Sequence, residues 1–101
     1  MRMEVRNQVT MLGNAVAAEV VQERQSHRRW MCLSPVDERV LFVEVEVPVG
    51  VDPVEWPKDD DDYVVVAQVR FDSLDMALDF VRGPGINTDT FDALWKSENP
   101  F

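Results

Sequence analysis

Four consecutive aspartates, Asp59, Asp60, Asp61 and Asp62, form the densest run of a single chemistry in this 101-residue chain. Asp52 and Glu55 lie a few residues before them, and Trp56 and Tyr63 flank them. Clustered carboxylates suit two tasks: coordinating a hard cation such as calcium through oxygen, or presenting negative potential to a basic surface. The calcium loop needs alternating ligands, a glycine at its sixth position and a glutamate at its twelfth, and this run has no such spacing. The flanking aromatics fit a protein interface better, since large aromatic side chains anchor interfaces while charge steers the encounter. The plainer alternative is a solvated acidic loop ahead of a strand.

The single histidine, His27, and the single cysteine, Cys32, are five residues apart. An odd offset in a strand puts two side chains on opposite faces, which counts against a thiol–imidazole pair. One cysteine also excludes an intrachain disulfide and a four-thiolate zinc site. His27, Arg28 and Arg29 beside Trp30 could stack on a nucleotide. In a chain of net charge −9, however, they are expected to pair with strand carboxylates such as Glu44 and Glu46. A P-loop, a dinucleotide-binding glycine fingerprint and an HExxH motif are all absent. Gly83-Pro84-Gly85 follows a helical pattern, so it ends an element instead of cradling phosphate at a helix start. No catalytic, cofactor-binding or metal-ligating residue is assigned, no cofactor is implied, and an enzyme is not expected.

Charge narrows the choice of partner. Residues 1–50 hold six basic and seven acidic side chains, leaving −1, while residues 51–101 hold four basic and twelve acidic ones, leaving −8. A nucleic-acid binder normally shows the opposite sign on its binding face. The lone thiol suits a reducing compartment. Without a signal-like or membrane-spanning apolar run, the expected location is cytoplasmic.

The elements that must carry these residues can be read from periodicity. Val9, Leu12, Val16 and Val20 recur at helical spacing, which predicts a helix over residues 7–25; two strands meeting at Gly13-Asn14 is the competing reading. Residues 28–33 read as a strand closed by Ser34-Pro35. Residues 39–47 alternate, with Leu41, Val43, Val45 and Val47 on one face and Phe42, Glu44 and Glu46 on the other, as in a half-exposed antiparallel strand. The proline-bearing segment from Pro48 to Asp62 reads as a long connection. A strand over residues 63–71 has Val65, Ala67, Val69 and Phe71 on one face, and its apolar opening suggests the middle of the sheet. Asp72 or Ser73 then caps a helix through Arg82 with Leu74, Ala77, Leu78 and Val81 inward. A last helix is predicted over residues 88–97 from Phe91, Leu94 and Trp95. The fold class expected is α+β, a single domain over residues 1–101, with a three-stranded antiparallel sheet, helices on one face and the order α-β-β-β-α-α.

Two short stretches carry family resemblances. Residues 7–15, NQVTMLGNA, resemble the opening strand of single-stranded DNA-binding OB-fold proteins. Residues 69–95 are similar in order to the barstar family of nuclease inhibitors: a strand, an Asp-Ser-Leu helix, then a helix bearing Asp92-Ala93-Leu94-Trp95. Lys96 stands where that family has an acid. The second resemblance implies an acidic helix able to plug a basic cleft. The expectation is therefore a small acidic interaction protein, an inhibitor, immunity factor or phage-type accessory protein that mimics nucleic acid towards a basic partner. Its expected contact residues are Glu55, Trp56, Asp59, Asp60, Asp61, Asp62, Tyr63, Asp75, Asp79, Asp89 and Asp92. A structural homo-oligomer comes second, and a single-stranded nucleic-acid binder third.

Overall fold

The computed structural model describes residues 1–20, 27–48, 64–83, 85–96 and 101, apart from the side chains of residues 27, 47, 48 and 64. In chain order these form helix α1 (Met3–Thr10), strands β1 (Val16–Val20), β2 (His27–Val36), β3 (Arg39–Pro48) and β4 (Val64–Phe71), and helix α2 (Leu74–Arg82). A 3-10 turn over Thr88–Thr90, the two-residue strand β5 (Asp92–Ala93) and a second 3-10 turn over Leu94–Lys96 follow. The strands make one antiparallel sheet in the order β4-β3-β2-β1-β5. The class is α+β, but among the described residues the sheet has five strands instead of three, and two α-helices stand where the expected order α-β-β-β-α-α has three.

The central hairpin follows from its turn. Only Asp37 and Glu38 separate β2 from β3, and both have positive φ, 50° and 66°. That combination is a type I′ turn, whose twist matches the strands it joins. The register then runs unbroken from Val36↔Arg39 to His27↔Pro48. Pro35 is tolerated inside β2 because Pro35↔Val40 is the pair next to the turn-closing pair, so its nitrogen faces away from β3. On that other side β1 has already ended at Val16↔Leu33. Glutamate is a poor occupant of the left-handed region. Glu38→Gly is therefore expected to stabilise the fold by about 1 kcal/mol, seen as a raised urea midpoint with unchanged slope. A lowered midpoint would show that the glutamate side chain contributes more than its backbone costs.

Residues paired across an antiparallel sheet share a face, which locates the core. Val16, Leu33 and Phe42 align on one row, Ala18 and Met31 on the next, and all are buried. Val5 and Val9 of α1 and Leu74, Ala77, Leu78 and Val81 of α2 pack on that same cluster. The inward stripe of α2 is the one expected, and Ser73 caps it by accepting the Met76 amide at 3.2 Å. The opposite face is apolar too: Trp30 and Val45 are buried there, with Val43 and Phe101 packed against them.

Four sequence expectations are corrected. First, residues 7–25 are not one helix. α1 ends at Thr10, Gly13 turns the chain at φ 69°, and residues 16–20 enter β1. Val9 and Val16 reach the same core from different elements, while Leu12 is 64% exposed. Pairing with β2 overrides the helix propensity of Ala17 and Ala18. The strand that the OB-fold resemblance implies at residues 7–15 is absent, since that stretch ends a helix and begins a turn.

Second, the two faces expected for β3 are observed, but the one bearing Phe42, Glu44 and Glu46 is not the exposed one: with Val40 it turns toward the helices, and Leu41 and Val43 lie half-buried on the other face. Third, β4 is an edge strand, not the middle of the sheet. Its pairing skips Val66, because Glu44 meets Ala67 and Val45 meets Val65. This bulge reverses the alternation, so Val65 no longer shares a face with Ala67, Val69 and Phe71. Fourth, no α-helix forms over the described part of residues 88–97. Phe91 and Ala93 are buried, but Trp95 is 66% exposed, so the helical spacing is a coincidence of two turns around β5. The second helix implied by the barstar resemblance is therefore not there.

Candidate functional site

Of the expected contact residues, Glu55, Trp56, Asp59, Asp60, Asp61, Asp62 and Tyr63 lie outside the described residues. Val64, which follows Tyr63, opens the edge strand β4. The remaining four are placed. Asp75 and Asp79 project from α2, Asp89 lies in the first 3-10 turn and Asp92 in β5. Neither of the last two sits on a helix face as the sequence suggested.

Each of the four meets a cation of the same chain. Asp79 lies 3.4 Å from Arg82, one turn further along α2. The other three meet the amino-terminal segment: Asp75 lies 2.9 Å from Arg6, Asp92 3.0 Å from Arg2, and Asp89 2.9 Å from the Met1 amino group. That amino group also donates to Thr88 Oγ1, and Arg2 donates to the Phe91 carbonyl. No local sequence pattern signals this arrangement, because the partners are separated by most of the chain. Its effect is to fasten α1, whose start has no side-chain cap, to the second half of the molecule.

The ion pairs carry a pH signature. The Arg6 guanidinium holds the Asp75 carboxyl below its ordinary range. Asp92 is held low first by the Ala93 amide and then by Arg2. A carboxyl with a depressed folded pKa adds stability above its unfolded pKa and loses it as pH falls through the folded one. Stability is therefore expected to drop below about pH 4, and to drop less steeply in Arg6→Gln. Urea midpoints at pH 5 and pH 3 check this; parallel losses in both proteins would count against it.

A second charged group sits beyond the helices on the same face of the sheet. Arg29 Nη2 donates to Glu46 at 2.6 Å, and its Nε lies 3.2 Å from Glu44. This is the pairing expected for the basic patch. On the opposite face of the sheet Arg28 bonds Glu19 through two nitrogens, at 2.7 and 2.9 Å, and stacks over Trp30. Glu19, Val20, Arg29, Glu44, Ile86, Asn87 and Thr90 line an open cleft of about 500 Å³. Its charged groups neutralise one another, so it has the makings of a structural brace more than of a catalytic centre. Cys32 is buried on the opposite face, level with Ala17 and Val43. Among the described residues no cluster of His, Cys, Asp or Glu is arranged to hold a metal ion. No helix among them is long and apolar enough to cross a membrane.

Comparison with family models, curated proteins and solved structures finds no match to this chain. Neither the OB-fold nor the barstar resemblance is therefore supported at the level of a family.

Proposed function

We propose that this chain acts by binding a basic, nucleic-acid-handling protein and blocking it, as an inhibitor, an immunity factor or an accessory protein of a mobile element. The observation that carries this reading is charge asymmetry: nearly all of the −9 net charge falls in residues 51–101 and is densest at Asp59–Asp62, between Trp56 and Tyr63. Such a run steers encounter with a basic surface and stands in for phosphates, while flanking aromatics supply short-range contact. Affinity capture from the native host, or from a host carrying a mobile element, tests it. The expected result is a basic protein whose retention weakens as salt rises. It is also expected to be lost when all four aspartates are replaced by serine. Retention unchanged by both would overturn the reading.

A second reading, a homo-oligomer, is favoured by one observation. β4 is an edge strand of eight residues, and it exposes Val65 and Val66. An apolar edge invites strand addition. Light scattering separates the two: a dimer that persists on dilution supports assembly, and a monomer removes it.

A further inference from the structure

Among the described residues β4 closes the sheet with one side of its main chain unpaired. Which residues face outward follows from the hairpin. Val36↔Arg39 closes the two-residue turn as a hydrogen-bonded pair, so Val40, Phe42 and Glu44 turn their main-chain groups towards β4. Their partners Phe71, Val69 and Ala67 face back, which leaves the amides and carbonyls of Gln68 and Arg70 pointing out. The bulge keeps Val65 and Val66 out of a regular ladder, so the usable edge is residues 67–71. Its centre is Val69.

One flank of α2 overhangs this edge. Met76 and Phe80, four residues apart on one side of the helix, are 51% and 47% exposed. The Phe80 ring meets that of Phe71 of β4, with centroids 5.3 Å apart. Asp75 and Asp79 occupy the other flank, where Asp75 meets Arg6 of α1. Residues 64–71 carry no acid, although residues 51–101 as a whole leave −8. Their single charge is the cation Arg70.

We propose that β4 pairs antiparallel with β4 of a second copy about a two-fold axis at Val69, running one sheet through both chains. In that register Gln68 of each copy exchanges both main-chain bonds with Arg70 of the other. On the helix-bearing face Phe71 lies opposite Ala67, large against small, and Val69 opposite its own copy. The flanks bearing Met76 and Phe80 then face each other across the axis. Charge selects the occupant: a basic partner would meet Arg70 as like charge, whereas a second copy finds here a stretch of its acidic half without carboxylates. Two chains of −9 repel at long range while the contacts themselves are apolar and main-chain, so association strengthens as salt rises. The proposal rests on the homo-oligomer reading and names its interface; it is independent of the basic-partner reading.

Sedimentation equilibrium of the full chain at low and high salt, with mild oxidation of two cysteine variants, tests it. The expected result is a dimer whose dissociation constant falls several-fold at high salt. Val69→Cys is expected to form an interchain disulfide, because directly opposed residues at such a position have Cα atoms about 4.5 Å apart. Gln68→Cys should not, since the two copies of residue 68 lie on a diagonal roughly 7–8 Å apart, beyond disulfide reach. Wild type, whose one cysteine is buried, is the control. Gln68→Pro removes only an outward amide, so the β3–β4 ladder stays whole and the protein is expected to be a monomer; backbone amide exchange confirms its fold. A dimer that cross-links equally through residues 68 and 69, or that a folded Gln68→Pro leaves intact, would overturn the proposal while leaving the homo-oligomer reading standing. A dimer that weakens with salt would overturn it likewise. A monomer at every salt concentration would remove both.

Discussion

Phe42→Ala is expected to cost about 3–5 kcal/mol, the largest loss from any single side chain in this core. Phe42 is 1% exposed and sits on β3 between Leu33 of β2 and Val69 of β4. Its ring meets that of Phe80 edge-on, with centroids 5.3 Å apart at 70°. Removing it opens a cavity beneath α2 that rigid strands on either side cannot close, so the cost of the void adds to that of lost burial. In a domain whose whole stability is about 5–15 kcal/mol, that loss removes roughly a fifth or more of the total. Phe80→Ala is the internal comparison. Phe80 is 47% exposed, so its truncation deletes the same aromatic pair but leaves a surface notch instead of a void. It should cost less than half as much. Guanidinium midpoints of the two variants decide the matter, and equal losses would mean that Phe42 is not the centre of the core.

The contrast between these two phenylalanines shows what could be read in the sequence. A local signal survives folding intact where one element supplies both its cap and its stripe. Ser73 and the Leu74, Ala77, Leu78 and Val81 pattern specify α2 completely, and the structure agrees. The β2–β3 hairpin was visible for a similar reason, since its two strands adjoin in sequence and Arg29 has carboxylates in reach on its partner. Elsewhere the decisive interactions join distant parts of the chain. Residues 16–20 become a strand because β2 and β5 are there to pair with, a fact the alanine-rich sequence does not announce. Which face of β3 meets the helices depends on the other sheet face being apolar as well, so alternation alone could not choose between them. The bulge at Val66 breaks a clean period of two with no glycine or proline to mark it. The acids behave likewise. Asp75, Asp89 and Asp92 were visible as charge, but their partnership with the amino-terminal cations required the fold to bring residues 1–6 against residues 75–92.

Arg29→Ala is expected to be the most damaging change among the charged residues, at about 2 kcal/mol or more. Arg29 is shared by Glu44 and Glu46, whose side chains are only 15% and 26% exposed, both on the helix-bearing face of β3. Each carboxylate gives up hydration to sit there, and the guanidinium is what offsets that loss. Without it, two like charges two residues apart on one strand face remain partly desolvated and repel each other. Arg29 Nε is buried with no hydrogen-bond acceptor, so the brace is itself imperfectly satisfied. The triad therefore does not stabilise the fold as strongly as breaking it destabilises the fold. One consequence separates this account from simple loss of packing. Adding Glu44→Gln to Arg29→Ala should recover a large part of the loss, whereas Glu44→Gln alone should cost little. Denaturant midpoints of the four proteins in this cycle test it. A penalty untouched by Glu44→Gln would assign the arginine's contribution to its aliphatic stem packed beside Val20.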